Sequence, residues 1–193
     1  MNHRKPCYAI IIACALLLSA ARASEEQTTN ATMDRLERQL ELHHHSELLA
    51  RMAAPGSTLA PFTTDGCSGG LSIGWEYLAG QVENVRAVHG TRPPWEDCCI
   101  AHDRLYHTAV AVDASAEESF AARKQADLAL LSCVVETGNT RVAELTLEYD
   151  VSAETVATLY AAIAELMYRA VRLGGIPCSG LPWRWGYGWP QCA

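Results

Sequence analysis

The chain has 193 residues, of which 49% are hydrophobic and 19% are charged, and its formal net charge at pH 7 is −7. This length and composition suit one domain with a single hydrophobic core, together with terminal segments. The acidic balance argues against nucleic acid as a partner and against attraction to strongly anionic lipid surfaces, because both are themselves negatively charged.

The first 23 residues have the pattern of a secretory signal peptide. The basic start MNHRK precedes an apolar run from Cys7 to Ala21, and residues 21–23 form a small-x-small cleavage site. We therefore expect export, to the periplasm or outside the cell. The segment carries three basic residues and no acid, so the mature chain would have a net charge of −10. The alternative is a lipoprotein cleavage box at residues 11–14, although the apolar run continues well past Cys14.

Six cysteines follow the predicted cleavage site, and an even number in an exported protein predicts a disulfide framework. They are Cys67, Cys98, Cys99, Cys133, Cys178 and Cys192. Adjacent helical residues point about 100° apart, so Cys98 and Cys99 suit two different partners better than each other. The count and spacing leave the connectivity open.

Residues 24–60 are predicted to form an N-terminal extension. A polar stretch, expected to be disordered, leads into a helix-like alternation of charged and apolar residues from Met33 to Met52. Prolines and glycines after Met52 end this pattern. The triplet at residues 43–45, three histidines, could bind a transition metal. Three consecutive helical positions point in three directions, however, which favours a solvated polar stretch.

The remainder, residues 61–193, is predicted to be an all-α domain. One helix is expected from about Trp95 to Val110, and the capping box at residues 115–118 opens a second long helix. We expect the glycine-asparagine pair at 138–139 to end that second helix. A third helical pattern covers about 153–173. The short connection between the first two helices predicts that they run antiparallel.

The stretch WEDCCIAHDRLYH holds the candidate catalytic residues. Suppose that Cys98 is tied to Cys133 across the antiparallel pair. Asp127 then lies between the levels of His102 and Tyr106, where it could accept a hydrogen bond from each. A carboxylate on one ring nitrogen fixes the tautomer and leaves the other nitrogen free to take a proton, as in hydrolases.

Asp103 points about 100° away from His102 and requires a different role. The loop TTDGCSGGLS, residues 63–72, has three glycines within five positions, so its backbone can turn carbonyl oxygens inward. Hard cations such as Ca²⁺ take carbonyl and carboxylate oxygens together. If Cys67 bridges to Cys99, the loop is held beside the His-Asp helix, and Asp103 could complete a calcium site.

These residues resemble the secreted phospholipase A2 family, whose active-site helix reads CCxxHDxCY and whose second helix carries CDxxxxxC. The segments CCIAHDRLY and ADLALLSC match at Cys98, Cys99, His102, Asp103, Tyr106, Asp127 and Cys133. Leu105 and Ala126 replace two cysteines that pair with each other in typical members, and both lie about 10.5 Å along their helices from the matched cysteines. A disulfide is therefore expected to have been exchanged for an apolar contact. The resemblance covers about residues 65–137.

The resemblance implies an α-helical fold in which two antiparallel helices joined by a disulfide carry the active site, and Ca²⁺-dependent hydrolysis of the sn-2 ester of glycerophospholipids. By position, His102 resembles the general base, Asp127 its orienting partner, and Tyr106 the tyrosine that supports Asp127. The calcium ligands carried over in this way are the carboxylate of Asp103 and the carbonyls of Gly66, Ser68 and Gly70. The loop is the weaker match, because typical members read roughly YxCxCGxGG, and it looks more like members with a DGC or NGC start. The expected substrate is a phospholipid membrane surface or micelle, and a secreted monomer is expected.

Two other interpretations of the His-Asp pair stay open. A secreted protein could keep this scaffold without activity and bind lipid or protein. Metal-dependent phosphohydrolases also use a His-Asp pair, but they need further His and Asp ligands on other helices, and neither vicinal cysteines nor export is expected there.

The C-terminal segment CSGLPWRWGYGWPQC, residues 178–192, is expected to be a loop closed by its terminal cysteines, Cys178 and Cys192. Its alternating aromatic residues favour either a membrane interface or packing of the tryptophans against the helices, and the second interpretation is preferred. Trp75 and Trp95 are predicted to be core residues.

Overall fold

The computed structural model describes residues 32–67 and 83–192, without the side chains of residues 83–85. Within these ranges all regular secondary structure is helical. The predicted signal peptide, most of the polar stretch after it and residues 68–82, with Trp75, lie outside the described residues. The chain divides into two compact units, residues 1–40 and 41–193. No helix among the described residues is long and apolar enough to cross a membrane.

The described residues contain five helices. They are α1 (32–52), α2 (Glu83–His89), α3 (Glu96–Thr108), α4 (Ala116–Tyr149) and α5 (Ala153–Gly174). The helices predicted from the patterns at 33–52, 95–110 and 153–173 are therefore present, with ends that differ by at most two residues. The predicted capping box is confirmed: Ser115 Oγ accepts from the Glu118 N–H, and the Glu118 carboxylate accepts from the Ser115 N–H.

The second half of α1 belongs to the same compact unit as the predicted domain, because that unit begins at Glu41. Leu48 and Met52 are buried in a cluster with Tyr106 and Trp185. This compact unit therefore begins before the predicted division of the chain at residue 60.

The prediction of a solvated histidine triplet also needs correction. His43 is exposed and His44 is partly exposed, but His45 is fully buried. His45 lies one turn before Leu48 on the same face of α1, and this face packs against the core. Position on the helix therefore decides which of the three histidines meets water.

The prediction that α4 ends at Gly138-Asn139 is wrong, because α4 is 34 residues long and its last residue is Tyr149. A Cβ on Gly138 would collide with ring and Cβ atoms of Tyr160 on α5. Gly138 thus permits the close approach of α5 instead of ending α4. The C-cap residue of α4 is Asp150, which adopts a left-handed conformation with φ 50° and ψ 43°.

Three disulfides hold the fold together, and all three match the expected pairs. They are Cys67–Cys99, Cys98–Cys133 and Cys178–Cys192. Cys98–Cys133 joins α3 to α4 with a Cα–Cα distance of 5.7 Å, and Cys67–Cys99 ties the chain at Cys67 to the start of α3. Of the two residues expected to make an apolar contact, Ala126 is buried with Leu48, whereas Leu105 is 47% exposed.

The aromatic C-terminal loop packs mainly against the helices, as the preferred interpretation has it. Trp185 is buried and donates from Nε1 to Ser119 Oγ at 3.0 Å, and Trp189 donates from Nε1 to the Thr108 carbonyl at 3.0 Å. Trp183 differs, since 41% of it is exposed. Trp95 is buried in the core, as predicted.

We predict that Gly138→Ala lowers the free energy of unfolding. Alanine favours the helix by about 1 kcal/mol, but overpacking against Tyr160 costs about 1–3 kcal/mol. Urea unfolding measures the net change. In a Tyr160→Gly background the colliding Cβ and ring atoms are all absent, so the same substitution should stabilise the protein. Stabilisation in both backgrounds would contradict the close approach of the two helices.

Candidate active site

His102 and Asp127 form a buried hydrogen-bonded pair between α3 and α4. The distance from His102 Nε2 to Asp127 Oδ1 is 2.8 Å, and both side chains are buried. His102 follows Cys98 by one helical turn, so the Cys98–Cys133 disulfide sets the height at which the two helices meet. Because a carboxylate only accepts, Nε2 carries the proton and Nδ1 is the basic nitrogen.

Tyr106 supports the same carboxylate one turn further along α3. Its hydroxyl donates to Asp127 Oδ1 at 2.6 Å, and its ring centroid lies 4.1 Å from that of His102. Burial raises the pKa of Tyr106 well above its usual value, so the hydroxyl keeps its proton and acts as a donor. Both predicted hydrogen bonds of Asp127 are thus present.

The environment of His102 favours its protonated form. Burial lowers the pKa of the imidazole, but hydrogen bonds and negative charge from Asp103 and Asp127 outweigh burial, so the pKa lies above the usual 6.5. The Nδ1 atom lies 3.9 Å from Asp103 Oδ1. The ring is therefore placed between two carboxylates and can receive a proton with electrostatic support from both.

Asp103 is positioned by the chain segment that contains Thr64 and Gly66. Thr64 Oγ1 donates to Asp103 Oδ2 at 2.6 Å, and the Gly66 N–H donates to Thr64 Oγ1 at 3.1 Å. Gly66 has φ 79°, a conformation that favours glycine, and Cys67 is tied to Cys99. Gly66 and Asp103 both border one cavity, whereas Ser68 and Gly70 lie outside the described residues.

The possible metal-ligand atoms around Asp103 are oxygen atoms, which suit a hard cation such as Ca²⁺ better than zinc or copper. Asp65 and Asp103 both border one cavity of 310 Å³, with Thr63 and Thr64 beside them. In the part of the chain that the structure describes, no group of three or more His, Cys, Asp or Glu side chains could hold a metal.

His102 and Asp103 open onto a cavity of 280 Å³. Apart from these two side chains, the lining consists of glycine, the Cys67–Cys99 disulfide and apolar groups such as Met167, Leu181 and Trp183. A polar pair at the wall of an apolar cavity is the usual form of a small-molecule site.

Sequence reasoning missed three charged residues behind the pair. Arg172 Nη1 donates to Asp127 Oδ2 at 3.0 Å, and Arg123 Nε donates to the Tyr106 hydroxyl at 3.1 Å. Both arginines also donate to Glu41 of α1. Arg123 precedes Asp127 by four residues, so helical spacing could have placed it on the same face. Glu41 lies 82 residues before Arg123 and has no local signal.

Glu41 is held in its ionised form by these partners. Burial raises the pKa of its carboxyl group, but the His45 ring, whose Nε2 lies 3.6 Å from Glu41 Oε2, and the charges of Arg123 and Arg172 outweigh burial, so the pKa falls below 4.5. Burial in turn lowers the pKa of His45, so His45 is neutral, with Nδ1 bonded to Ser119 Oγ at 2.8 Å.

Comparisons of the chain with protein-family models, with curated proteins and with solved structures gave no match.

We predict that Glu41→Gln lowers the free energy of unfolding by about 3–5 kcal/mol at neutral pH, because it leaves buried arginine charge without its partner. The folded-state pKa of Glu41 is below its unfolded value of 4.5. The Glu41 carboxylate therefore makes its full contribution to the free energy of unfolding above pH 4.5. This contribution is lost as the pH falls through the folded-state pKa.

The measurement is urea unfolding of both proteins from roughly pH 3 to pH 7. The difference between them should be largest at neutral pH and should shrink in acid. Glu47→Gln, at an exposed acid on the same helix, is the matched control and should change little. A difference that is independent of pH would mean that Glu41 is not ionised in the folded protein.

Proposed function

We propose that this protein is a secreted calcium-dependent hydrolase that cleaves the sn-2 acyl ester of glycerophospholipids. The observation that carries the proposal is the His102–Asp127 hydrogen bond beside Asp103 at the wall of an apolar cavity. The resemblance of the same residues to the secreted phospholipase A2 family supplies the substrate class.

His102 is the proposed general base. Its Nδ1 takes a proton from a water molecule as the water oxygen attacks the ester carbonyl, and Asp127 stabilises the imidazolium that forms without itself taking the proton. When the tetrahedral intermediate collapses, His102 returns the proton to the departing alcohol oxygen. The products are a free fatty acid and a lysophospholipid.

Asp103 and the carbonyl of Gly66 are the proposed calcium ligands among the described residues, and Ser68 and Gly70 complete the proposed set. The Thr64 hydrogen bond holds the carboxylate of Asp103 in one direction, and the Cys67–Cys99 disulfide holds Cys67 at the start of α3. Bound calcium would supply positive charge close to the developing oxyanion.

The cavity lining supports a lipid substrate. Met167, Val171 and Leu181 offer apolar surface to acyl chains, and the Trp183 ring lies at the cavity with 41% of its surface exposed. An amphipathic ring in this position suits a boundary between water and lipid. The acidic net charge of the chain favours zwitterionic or weakly charged surfaces.

We predict that the oxidised protein releases fatty acid from mixed phospholipid vesicles with excess Ca²⁺ and not with chelator. His102→Gln should lower the rate by about 100-fold or more, because a positioned general base contributes about that much. His43→Gln, at an exposed histidine of α1, is the matched control and should keep full activity. No release from any lipid by the correctly oxidised protein would favour a non-catalytic scaffold that binds lipid or protein.

We also predict that Asp103→Asn weakens calcium binding, because it removes the carboxylate of the proposed site. Isothermal titration calorimetry with Ca²⁺ alone measures the affinity, and vesicle hydrolysis should need a correspondingly higher Ca²⁺ concentration. Asp113→Asn, at an exposed acid between α3 and α4, should leave both unchanged. Equal calcium affinity in the Asp103→Asn protein would argue against the proposed site.

A further inference from the structure

Four ionisable side chains form a closed, buried set behind the candidate catalytic pair. Glu41 and Asp127 carry negative charge, and Arg123 and Arg172 carry positive charge, so the set is neutral as a whole. Each of the four is at most 5% exposed. Buried ions are costly unless they are paired and hydrogen-bonded, so an arrangement of four requires an explanation.

Arg172 joins the two carboxylates. Its Nη1 donates to Asp127 Oδ2 at 3.0 Å, and its Nη2 donates to Glu41 Oε1 at 2.9 Å. A guanidinium group is planar and rigid, so two bonds from one fork fix the direction of both acceptors relative to each other. A lysine could not do this, because its charge lies on one atom.

Arg123 closes the set from the side of α4. It donates to Glu41 Oε2 through Nη1, to the Tyr106 hydroxyl through Nε, and to the carbonyls of Val171 and Arg172 through Nη2, at 2.8 and 2.7 Å. These carbonyls belong to the last turn of α5, where the Val171 carbonyl also accepts from the N–H of the C-cap residue Gly175. Arg123 therefore holds the turn that carries Arg172.

The consequence for Asp127 is that both of its oxygens are held. His102 and Tyr106 occupy Oδ1, and Arg172 occupies Oδ2. If Oδ2 were free, the carboxylate could rotate and the imidazole could follow it. With both oxygens bonded, one orientation of the His102 ring is selected.

Glu41 is needed because of the charge balance. Without it, two buried guanidinium groups would face one carboxylate, and the excess positive charge would lie next to an imidazole that must become positive during turnover. Asp127 would then be the one carboxylate of the set left to pair with both arginines, and it would be drawn toward them. Glu41 therefore leaves Asp127 available to His102.

We propose that Glu41 and Arg172 are positioning residues, which fix the Asp127 carboxylate so that it orients His102, and that residues 41–52 of α1 are part of the working site. The role in turnover rests on the proposed function, whereas the role in orienting the His102 ring does not.

The test compares Arg172→Met, Arg172→Lys and Glu41→Gln with the unmodified protein, each as the full oxidised chain. Arg169→Met is the matched control, because Arg169 is an exposed arginine of α5 that pairs only locally with Glu165. Circular dichroism and thermal unfolding establish that each variant is folded.

The first readout is steady-state hydrolysis of phospholipid vesicles with saturating Ca²⁺. Arg172→Met and Glu41→Gln should lower kcat by about 10- to 100-fold, as loss of a supporting partner of a site residue commonly does, with little change in KM. Arg172→Lys should recover part of the loss. If the ion pair were purely structural, these substitutions would lower Tm but would not lower kcat selectively while leaving KM unchanged.

The second readout is the low-field proton NMR signal of the His102 Nε2–H, assigned by its absence in His102→Gln. Arg172→Met should shift this signal upfield or broaden it by exchange with solvent, and Arg169→Met should leave it unchanged. This readout requires no enzymatic activity.

The outcomes separate the two proposals. If folded Arg172→Met and Glu41→Gln keep both the signal and kcat, the positioning role is overturned. If no protein in the set hydrolyses phospholipid but Arg172→Met shifts or broadens the signal as expected, the proposed function fails and the positioning role stands. Should Arg172→Met fail to fold, Arg172→Lys and Glu41→Gln carry the same comparison, since both replace the side chain with a polar group of similar length.

Discussion

The buried carboxylate of Asp127 is the constraint on which the rest of the structure depends. A carboxylate that no water reaches is tolerated only if its lone pairs meet donors. The donors come from different parts of the fold: His102 and Tyr106 on α3, and Arg172 at the end of α5. Satisfying one group on α4 therefore requires three helices to meet at one level, and Glu41 brings α1 to the same place through the arginines.

The covalent and steric features of the fold serve this meeting point. The Cys98–Cys133 disulfide sets the height of α3 on α4, and Gly138 lets α5 approach α4 closely enough for the last turn of α5 to reach the site. Trp185 packs with Tyr106 and Leu48 in one buried cluster. The same contacts that complete the core thus hold the hydrogen-bond partners of Asp127 in position.

The two sides of the His102 ring have different surroundings, and this asymmetry links the structure to the proposed chemistry. Nε2 faces a dry, fully bonded carboxylate, whereas Nδ1 lies toward Asp103 and the cavity. A base needs one nitrogen fixed and the other accessible. Asp103 itself is held by Thr64 from the chain before the loop, so the proposed cation site and the base are positioned by separate parts of the chain.

The sequence by itself determined what depends on short spacing. Cysteine, histidine and aspartate intervals on two helices predicted the His102–Asp127 and Tyr106–Asp127 hydrogen bonds, and the capping box predicted the start of α4. Only the tertiary structure decided that His45 is buried, that Gly138 continues a helix, and that Glu41 joins two arginines behind the site. The physical reason is that helical periodicity reports neighbours within a few turns. An ion pair between residues 82 positions apart leaves no periodic pattern, and a glycine can equally end a helix or admit a neighbouring ring.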